Sequence, residues 1–170
     1  SSGRAGSESD VRDSLLSIME IKTKRILVTS FASNVARMES IFYCAKKTGR
    51  PICLVGRSMH RIYKAAKKCG YLKGLIEPLE PRDAKKVSKN KILYLATGSQ
   101  GEPMGAMNRI INNSHPDVFL EEGDCVIFSS KIIPGNDKKL YNLQNQIVRD
   151  NIEIISEENA FVHVSGHPNR

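Results

Sequence analysis

Long apolar runs are missing from this sequence of 170 residues. No stretch approaches the about 20 consecutive apolar residues of a membrane-spanning helix, and the chain does not open on the pattern of a secretory signal peptide. We therefore do not expect a membrane partner. The hydrophobic content of 40% is ordinary for a globular protein, and the length suits one domain with a sizeable core.

The sequence also lacks paired cysteines. Cys44, Cys53, Cys69 and Cys125 stand singly within predicted elements, with no C-x-x-C spacing. This distribution argues against a zinc knuckle or a disulfide framework. It favours reduced thiols that serve as small core residues of a cytoplasmic protein.

Two common phosphate-binding fingerprints are absent. No segment matches G-x-x-x-x-G-K-[ST], which argues against a P-loop NTPase. No segment matches G-x-G-x-x-G, which argues against a dinucleotide-binding domain.

Acidic residues are scarce in one part of the chain. From Lys22 to Lys91, 18 lysines and arginines stand against four acids, whereas from Ile92 onward 6 basic residues stand against 10 acidic ones. The whole chain has a net charge of +8. A basic half suggests a polyanionic partner, nucleic acid first, although a solvated lysine-rich surface explains the same charge.

Short apolar strands alternate with amphipathic helices along the chain. The periodicity predicts helices near 10–21 (capped by Ser9), 35–48, 59–69, 83–87, 104–111 and 137–149, and strands near 25–29, 51–55, 92–96, 125–128, 153–155 and 161–164. This alternation predicts an α/β fold, with an open, mostly parallel sheet and helices on both faces in a Rossmann-like arrangement.

The stretch Tyr94–Met104 shows the chemistry of the predicted strand-to-helix junctions. An apolar strand breaks into Thr97-Gly98-Ser99-Gln100-Gly101, and Pro103 then stands where the first turn of a helix is expected. Such a junction offers backbone N–H groups, hydroxyls and an amide to an anion.

Five predicted loops share this chemistry. In an open parallel sheet they emerge together at the carboxyl edge, where ligands bind. Serine, glycine and asparagine are also ordinary turn and cap residues, which explains any single loop. The loops are 29–34, 56–58, 97–100, 129–136 and 163–167.

The last loop, His163-Val164-Ser165-Gly166-His167, carries the most chemistry. In an extended segment His163 and Ser165 point to one side, and a turn at Gly166 brings His167 beside them. Two imidazoles and a hydroxyl suit phosphate binding and proton transfer. A metal site is the alternative, but the chain offers no third histidine nearby, and a structural role also stays open.

Five ordered motifs resemble the beta-CASP domain of bacterial ribonuclease J, a family of metallo-beta-lactamase-fold nucleases. The resemblance covers the chain from about Glu8 to its end. The motifs are Thr-Ser-Phe-Ala-Ser-Asn (29–34), Gly-Arg-Ser-Met (56–59), Ala-Thr-Gly-Ser-Gln-Gly-Glu-Pro-Met (96–104), Ile-Pro-Gly-Asn (133–136) and His-Val-Ser-Gly-His (163–167).

The resemblance implies a hydrolase that cuts RNA in processing and decay, as an endonuclease and as a 5′-to-3′ exonuclease that prefers a 5′-monophosphate. The family's two zinc ions are held by a His-x-His-x-Asp-His motif and later histidines, none of which this sequence contains. The zinc ions are therefore expected outside this chain, which by itself is expected to be inactive.

The resemblance also implies roles for individual residues. His163 and His167 are the catalytic candidates. Ala36 stands where many relatives carry histidine, so a contact made by that histidine side chain is not expected here. The implied substrate-binding residues are His163, Val164, Ser165, Gly166, His167, Ser30, Phe31, Ser33, Asn34, Gly98, Ser99 and Gln100.

In domain terms, we expect residues 1–7 to be a flexible leader or a cloning remnant, and 8–170 to be a beta-CASP domain excised from a larger nuclease. The expected partner is single-stranded RNA with a 5′-monophosphate. We expect the fragment to be a monomer and the intact protein a homo-oligomer. Two alternatives stay open: a non-catalytic RNA-binding module or adaptor, and a nucleotide-binding oxidoreductase domain, against which the missing fingerprint argues.

Overall fold

The computed structural model describes residues 6–163. These residues form six helices and five strands in alternation. The helices are α1 (Glu8–Ile21), α2 (Val35–Thr48), α3 (Arg57–Lys68), α4 (Pro81–Ala84), α5 (Ala106–Ile111) and α6 (Asp137–Arg149). The strands are β1 (Ile26–Thr29), β2 (Ile52–Val55), β3 (Leu93–Ala96), β4 (Cys125–Phe128) and β5 (Glu153–Ile155).

The five strands form one open sheet in the order β2-β3-β1-β4-β5. Every strand pair is parallel, and Ile26 on the central strand lies opposite Leu93 on one side and Cys125 on the other. The predicted α/β fold with a parallel sheet is therefore confirmed. All five strands end at the same edge, which is where the connecting loops meet.

The core has two layers because successive strand residues point to opposite faces of the sheet. One face packs against α1, α2 and α3, and the other against α4, α5 and α6. Along β1, for example, Ile26 and Val28 belong to the first layer and Leu27 to the second. Strands covered on both faces explain the continuous apolar runs in the sequence.

Four predicted helix starts and one predicted strand are wrong. Helices α3 and α4 each begin two residues earlier than expected, at Arg57 and Pro81. Ser7, not Ser9, caps α1, because its hydroxyl accepts from the Asp10 N–H while the Asp10 carboxylate accepts from the Ser7 N–H, which closes a capping box. The helix after β3 begins at Ala106 instead of Pro103, since a turn first brings Gly105 against Gly98. The strand expected from Phe161 is absent at 161–163, where the Val162 carbonyl accepts from the side chains of Arg37 and Ser129 instead of from a neighbouring strand.

Three of the four cysteines are core residues, as predicted. Cys44, Cys53 and Cys125 are buried, and burial raises the pKa of each thiol to about 12. The prediction is wrong for Cys69, which is exposed at the end of α3. Over the part of the chain that the structure describes, no helix combines the length and apolarity needed to cross a membrane.

The contact between Gly98 and α5 makes a prediction about stability. Gly98 has φ +97°, and a Cβ there would lie 2.9 Å from the backbone nitrogen of Met107. We expect Gly98→Ala to lower the free energy of unfolding by about 2–3 kcal/mol, since backbone strain adds to a clash with atoms that cannot rotate away. Urea denaturation followed by circular dichroism measures this loss.

Gly135→Ala is the matched control for that substitution. Gly135 has nearly the same φ, +96°, but a Cβ there would meet nothing within 4 Å. It tests the cost of the positive φ alone, for which we expect about 1 kcal/mol. Equal losses for the two variants would show that the packing of the loop on α5 contributes nothing.

Candidate functional site

Four of the five predicted loops leave the carboxyl edge of the sheet directly after a strand. They follow β1, β2, β3 and β4, and they begin at Ser30, Gly56, Thr97 and Ser129. The fifth, 163–167, does not directly follow a strand, because β5 ends at Ile155 and a turn intervenes. His163 nevertheless returns to the edge beside the loop after β4.

A buried arginine holds the residues just before His163 at this edge of the sheet. Arg37 is fully buried, and its Nη1 donates to the Ser129 carbonyl oxygen at 2.8 Å, to the Ser129 hydroxyl at 2.7 Å and to the Val162 carbonyl oxygen at 3.2 Å. Its Nε donates to the Glu8 carboxylate at 3.0 Å. The Ser129 hydroxyl in turn donates to the Val162 carbonyl. One guanidinium therefore joins α1, α2, the loop after β4 and the last described residues.

The start of α2 explains how Arg37 reaches this position. The side chain of Asn34 caps the helix by accepting from the Arg37 N–H at 3.0 Å, which fixes Arg37 in the first turn at the edge of the sheet. A cation in the first turn opposes the helix dipole. The Glu8 carboxylate, which also accepts from the Ser40 hydroxyl at 2.8 Å, compensates that charge.

His163 lies directly against this arginine. Its Nδ1 is 3.3 Å from Arg37 Nη1. Burial, and then the charge of Arg37, lower the pKa of His163, while Glu8 opposes the shift. The ring is therefore neutral near neutral pH, which is the state that accepts a proton.

Two buried hydroxyls near this edge have no hydrogen-bond partner within the described residues. They are Thr29 Oγ1, at the end of β1, and Ser130 Oγ. Ser130, Ser99 and Ser156 line a cavity of about 30 Å³. Buried polar groups normally find partners. Since Glu157 and Glu158 also line this cavity, it suits a water or a neutral group better than a bare phosphate.

The predicted substrate-binding residues of the first loop lie at the same edge with different exposures. Ser30 is buried, Phe31 and Asn34 are half-buried, and Ser33 is exposed. The amide oxygen of Asn34 is engaged in the helix cap. Phe31 and Ser33 therefore offer the accessible surface of this loop.

The predicted residues of the glycine loop are all buried. The Gln100 amide joins two loops, since its Nε2 donates to the Lys131 carbonyl oxygen at 2.9 Å and its Oε1 accepts from the Ile133 N–H at 2.8 Å. Gly98 and Ser99 lie on opposite sides of the loop and line different cavities. Gln100 thus positions the glycine loop, and Gly98 and Ser99 form its two sides.

Val164, Ser165, Gly166 and His167 lie outside the described residues, so of the last motif the structure places only His163. Within 6–163, no group of three or more histidine, cysteine, aspartate or glutamate side chains is arranged to hold a metal ion. The described residues therefore do not fit the zinc centre that the resemblance implies.

Sequence reasoning missed Arg37, Ser129 and Glu8 as parts of the site. One signal was available, because an arginine in the first turn of α2 opposes the helix dipole and needs a compensating partner. Nothing in the sequence identifies Glu8 as that partner, since 29 positions separate the two residues.

The comparisons with known proteins agree with the motifs. Residues 23–147 match the sequence pattern described as "Ribonuclease J, beta-CASP domain". The chain is 36% identical over 168 residues to "Ribonuclease J" of Sinorhizobium meliloti, which covers 99% of this chain and 30% of that protein. It is 40% identical over 164 residues to "Ribonuclease J 1" of Streptococcus pyogenes, with 95% of this chain and 29% of that protein covered.

The chain is also 34% identical over 168 residues to "Ribonuclease J" of Corynebacterium glutamicum, with 97% of this chain covered. The chain spans between 23% and 30% of the length of these three curated relatives. The match is thus to one part of a longer protein, and the resemblance in the motifs is confirmed. The chain belongs to the beta-CASP domain family of ribonuclease J.

Proposed function

We propose that this chain is the RNA-binding part of a ribonuclease of the ribonuclease J type. The observation that carries the proposal is the position of His163, which lies with a lowered pKa against a buried arginine at the carboxyl edge of the sheet. Neighbouring loops supply hydroxyls and backbone N–H groups beside it. This combination suits a phosphate ester and a proton transfer.

In this proposal each residue of the site has a distinct task. His163 and His167 contact the scissile or terminal phosphate, and one of them exchanges a proton with the leaving oxygen. Ser165, with Val164 and Gly166, completes the phosphate contact. Ser30, Phe31, Ser33, Asn34, Gly98, Ser99 and Gln100 shape the nucleotide pocket.

Arg37 serves as a positioning residue. Its hydrogen bonds to Ser129 and Val162 fix the backbone immediately before His163. Its charge adds to burial in lowering the pKa of His163, which favours the neutral imidazole that accepts a proton. The zinc ions that the family implies belong, in this proposal, to a part of the protein other than the described residues.

The proposed partner is a single-stranded RNA that carries a 5′-monophosphate, and the proposed compartment is the cytoplasm. Three buried thiols with raised pKa agree with a reducing environment. We propose that the intact enzyme is a homo-oligomer and that this chain alone is a monomer.

Binding of short RNAs to this chain tests the proposal. We expect an RNA with a 5′-monophosphate to bind about fivefold or more tightly than the same RNA with a 5′-hydroxyl, because charge-assisted hydrogen bonds to the phosphate exceed those to a hydroxyl. Fluorescence anisotropy across a salt series measures both affinities. His163→Ala should reduce the ratio, and Tyr141→Ala, at an exposed position on α6, should leave it unchanged.

Two results would contradict parts of this proposal. Binding that ignores the 5′ end would favour a non-catalytic RNA-binding module with a basic surface only. Cleavage of RNA by the purified chain that EDTA abolishes would show that the chain holds its own metal centre. We expect no cleavage by this chain alone.

A further inference from the structure

A second cavity at the carboxyl edge lies on the other side of the glycine loop from His163. It has a volume of about 620 Å³ and lies between the start of α3 and the loop that leads into α5. Three arginines line it, Arg57, Arg61 and Arg109, together with Ser58 and Gly98. We call it the arginine groove.

The three arginines of this groove are exposed and unpaired within the described residues. Within residues 6–163 none of them forms an ion pair or a side-chain hydrogen bond. Two buried arginines differ in this respect, since Arg37 binds Glu8 and Arg50 donates to three backbone carbonyls. The groove thus concentrates cations that lack a counter-charge.

One carboxylate, that of Glu102, also lines the groove. It accepts a hydrogen bond from the Gln100 N–H at 2.8 Å, so it has a structural partner within its own loop. Three guanidinium groups against one engaged carboxylate leave the groove positive.

The backbone around the groove also favours an anion. Helix α3 begins at Arg57 with no side-chain cap, so the N–H groups of its first turn lack the usual side-chain acceptor. Gly98 contributes no side chain to the wall. Guanidinium forks and free N–H groups around one open cavity are donors that match phosphate oxygens.

The positive charge continues from the groove along α3. Arg57, Arg61, Lys64 and Lys68 are exposed and follow one another at spacings of four, three and four residues, which places them on one side of the helix. Lys67, which belongs to a different side, is paired with Glu77 at 3.4 Å. The groove therefore opens onto a basic stripe of about 16 Å.

We propose that the arginine groove binds phosphodiester groups in the body of a single-stranded RNA, away from its reacting end. The proposal rests on the proposed function for the identity of the ligand. The groove lies beyond the ends of β2 and β3, which are three and two positions from β4 in the sheet, so the groove and the His163 site are separated by about 10–14 Å. One RNA strand occupies both only when it is several nucleotides long.

The test compares Arg57→Gln/Arg61→Gln/Arg109→Gln with the wild-type chain. The probe is a single-stranded RNA of about eight nucleotides, with either 5′ end, across a salt series. We expect about tenfold weaker binding near 0.1 M salt, and a slope of log K against log salt that is shallower by about 0.7 for each phosphate that the variant no longer neutralises. The ratio between 5′-monophosphate and 5′-hydroxyl RNA should stay unchanged.

The matched control removes the same number of charges elsewhere. Lys86, Lys91 and Arg149 are exposed, lie outside the groove, and form no ion pair within the described residues. Lys86→Gln/Lys91→Gln/Arg149→Gln should change RNA affinity by less than about threefold. Thermal unfolding of both triple variants checks that each is folded.

Three results would overturn the groove proposal. The first is an equal loss of RNA affinity in both triple variants, and the second is no loss in the groove variant. The third is a groove variant that loses binding of inorganic phosphate and keeps its RNA affinity, which would assign the groove to a free phosphate. A groove effect without 5′-end discrimination would count against the proposed function and leave the groove proposal standing.

Discussion

Replacing Arg37 by alanine should lower the free energy of unfolding by about 3 kcal/mol, the largest loss of stability that we expect from one side chain of the site. Arg37 is fully buried and donates to Ser129, Val162 and Glu8. Without it, the Ser129 carbonyl loses its side-chain donor, the Val162 carbonyl and the Glu8 carboxylate each lose one of their donors, and a cavity is left at the edge of the sheet. Chemical denaturation measures the loss.

Arg149→Ala is the control for this substitution. Arg149 is exposed in the last turn of α6, and we expect its removal to change stability by less than about 0.5 kcal/mol. A comparable loss in the two variants would show that the bonds of Arg37 add nothing to the fold.

A second readout separates positioning of His163 from simple stabilisation. Burial lowers the pKa of His163 most and the charge of Arg37 lowers it further, so Arg37→Met should raise that pKa and Arg37→Lys should keep it low. NMR titration of the histidine ring measures this pKa.

The lowered pKa of His163 also affects stability, because a folded-state pKa below the ordinary value of 6.5 destabilises the protein as pH falls below that value. Arg37→Met should weaken that pH dependence.

The sequence predicts the regular part of the fold well. Helix α6 was expected at 137–149 and strand β5 at 153–155, which are the observed bounds. Both predictions rest on local signals, namely apolar periodicity between polar breaks. The start of α5 was misplaced because Pro103 is a good first residue for a helix. The close approach of Gly98 and Gly105 determines where α5 begins, and local helix signals do not contain this contact.

The location of the candidate site follows from the sequence, but the hydrogen bonds within the site do not. Loops rich in serine, glycine and asparagine after parallel strands predict the carboxyl edge. The buried Arg37 links Glu8 and Val162, which are 154 positions apart, and no local pattern contains such a pairing. The same holds for Gln100, whose side chain joins two loops through hydrogen bonds to Lys131 and Ile133.

Replacing His163 or His167 by alanine should lower kcat by about 100-fold or more in an intact enzyme that includes the metal-binding part, with a much smaller rise in KM, about fivefold, from the lost contact to the 5′-phosphate. Proton transfer by a positioned imidazole contributes about 100-fold or more to a rate. Lys64→Gln/Lys68→Gln should instead raise KM and leave kcat unchanged, because these exposed lysines of α3 attract the RNA backbone without touching the reacting phosphate.

Lys67→Gln is the matched control within the same helix. Lys67 is paired with Glu77 and lies on a different side of α3 from the basic stripe, so its ammonium group is less available to contact an RNA phosphate than that of Lys64. A single Lys67→Gln substitution should raise KM less than Lys64→Gln alone. Steady-state kinetics on a short RNA with a 5′-monophosphate separates the two quantities. If the histidine variants changed KM more than kcat, or the lysine variants changed kcat more than KM, the division between chemistry at His163 and binding along α3 would be wrong.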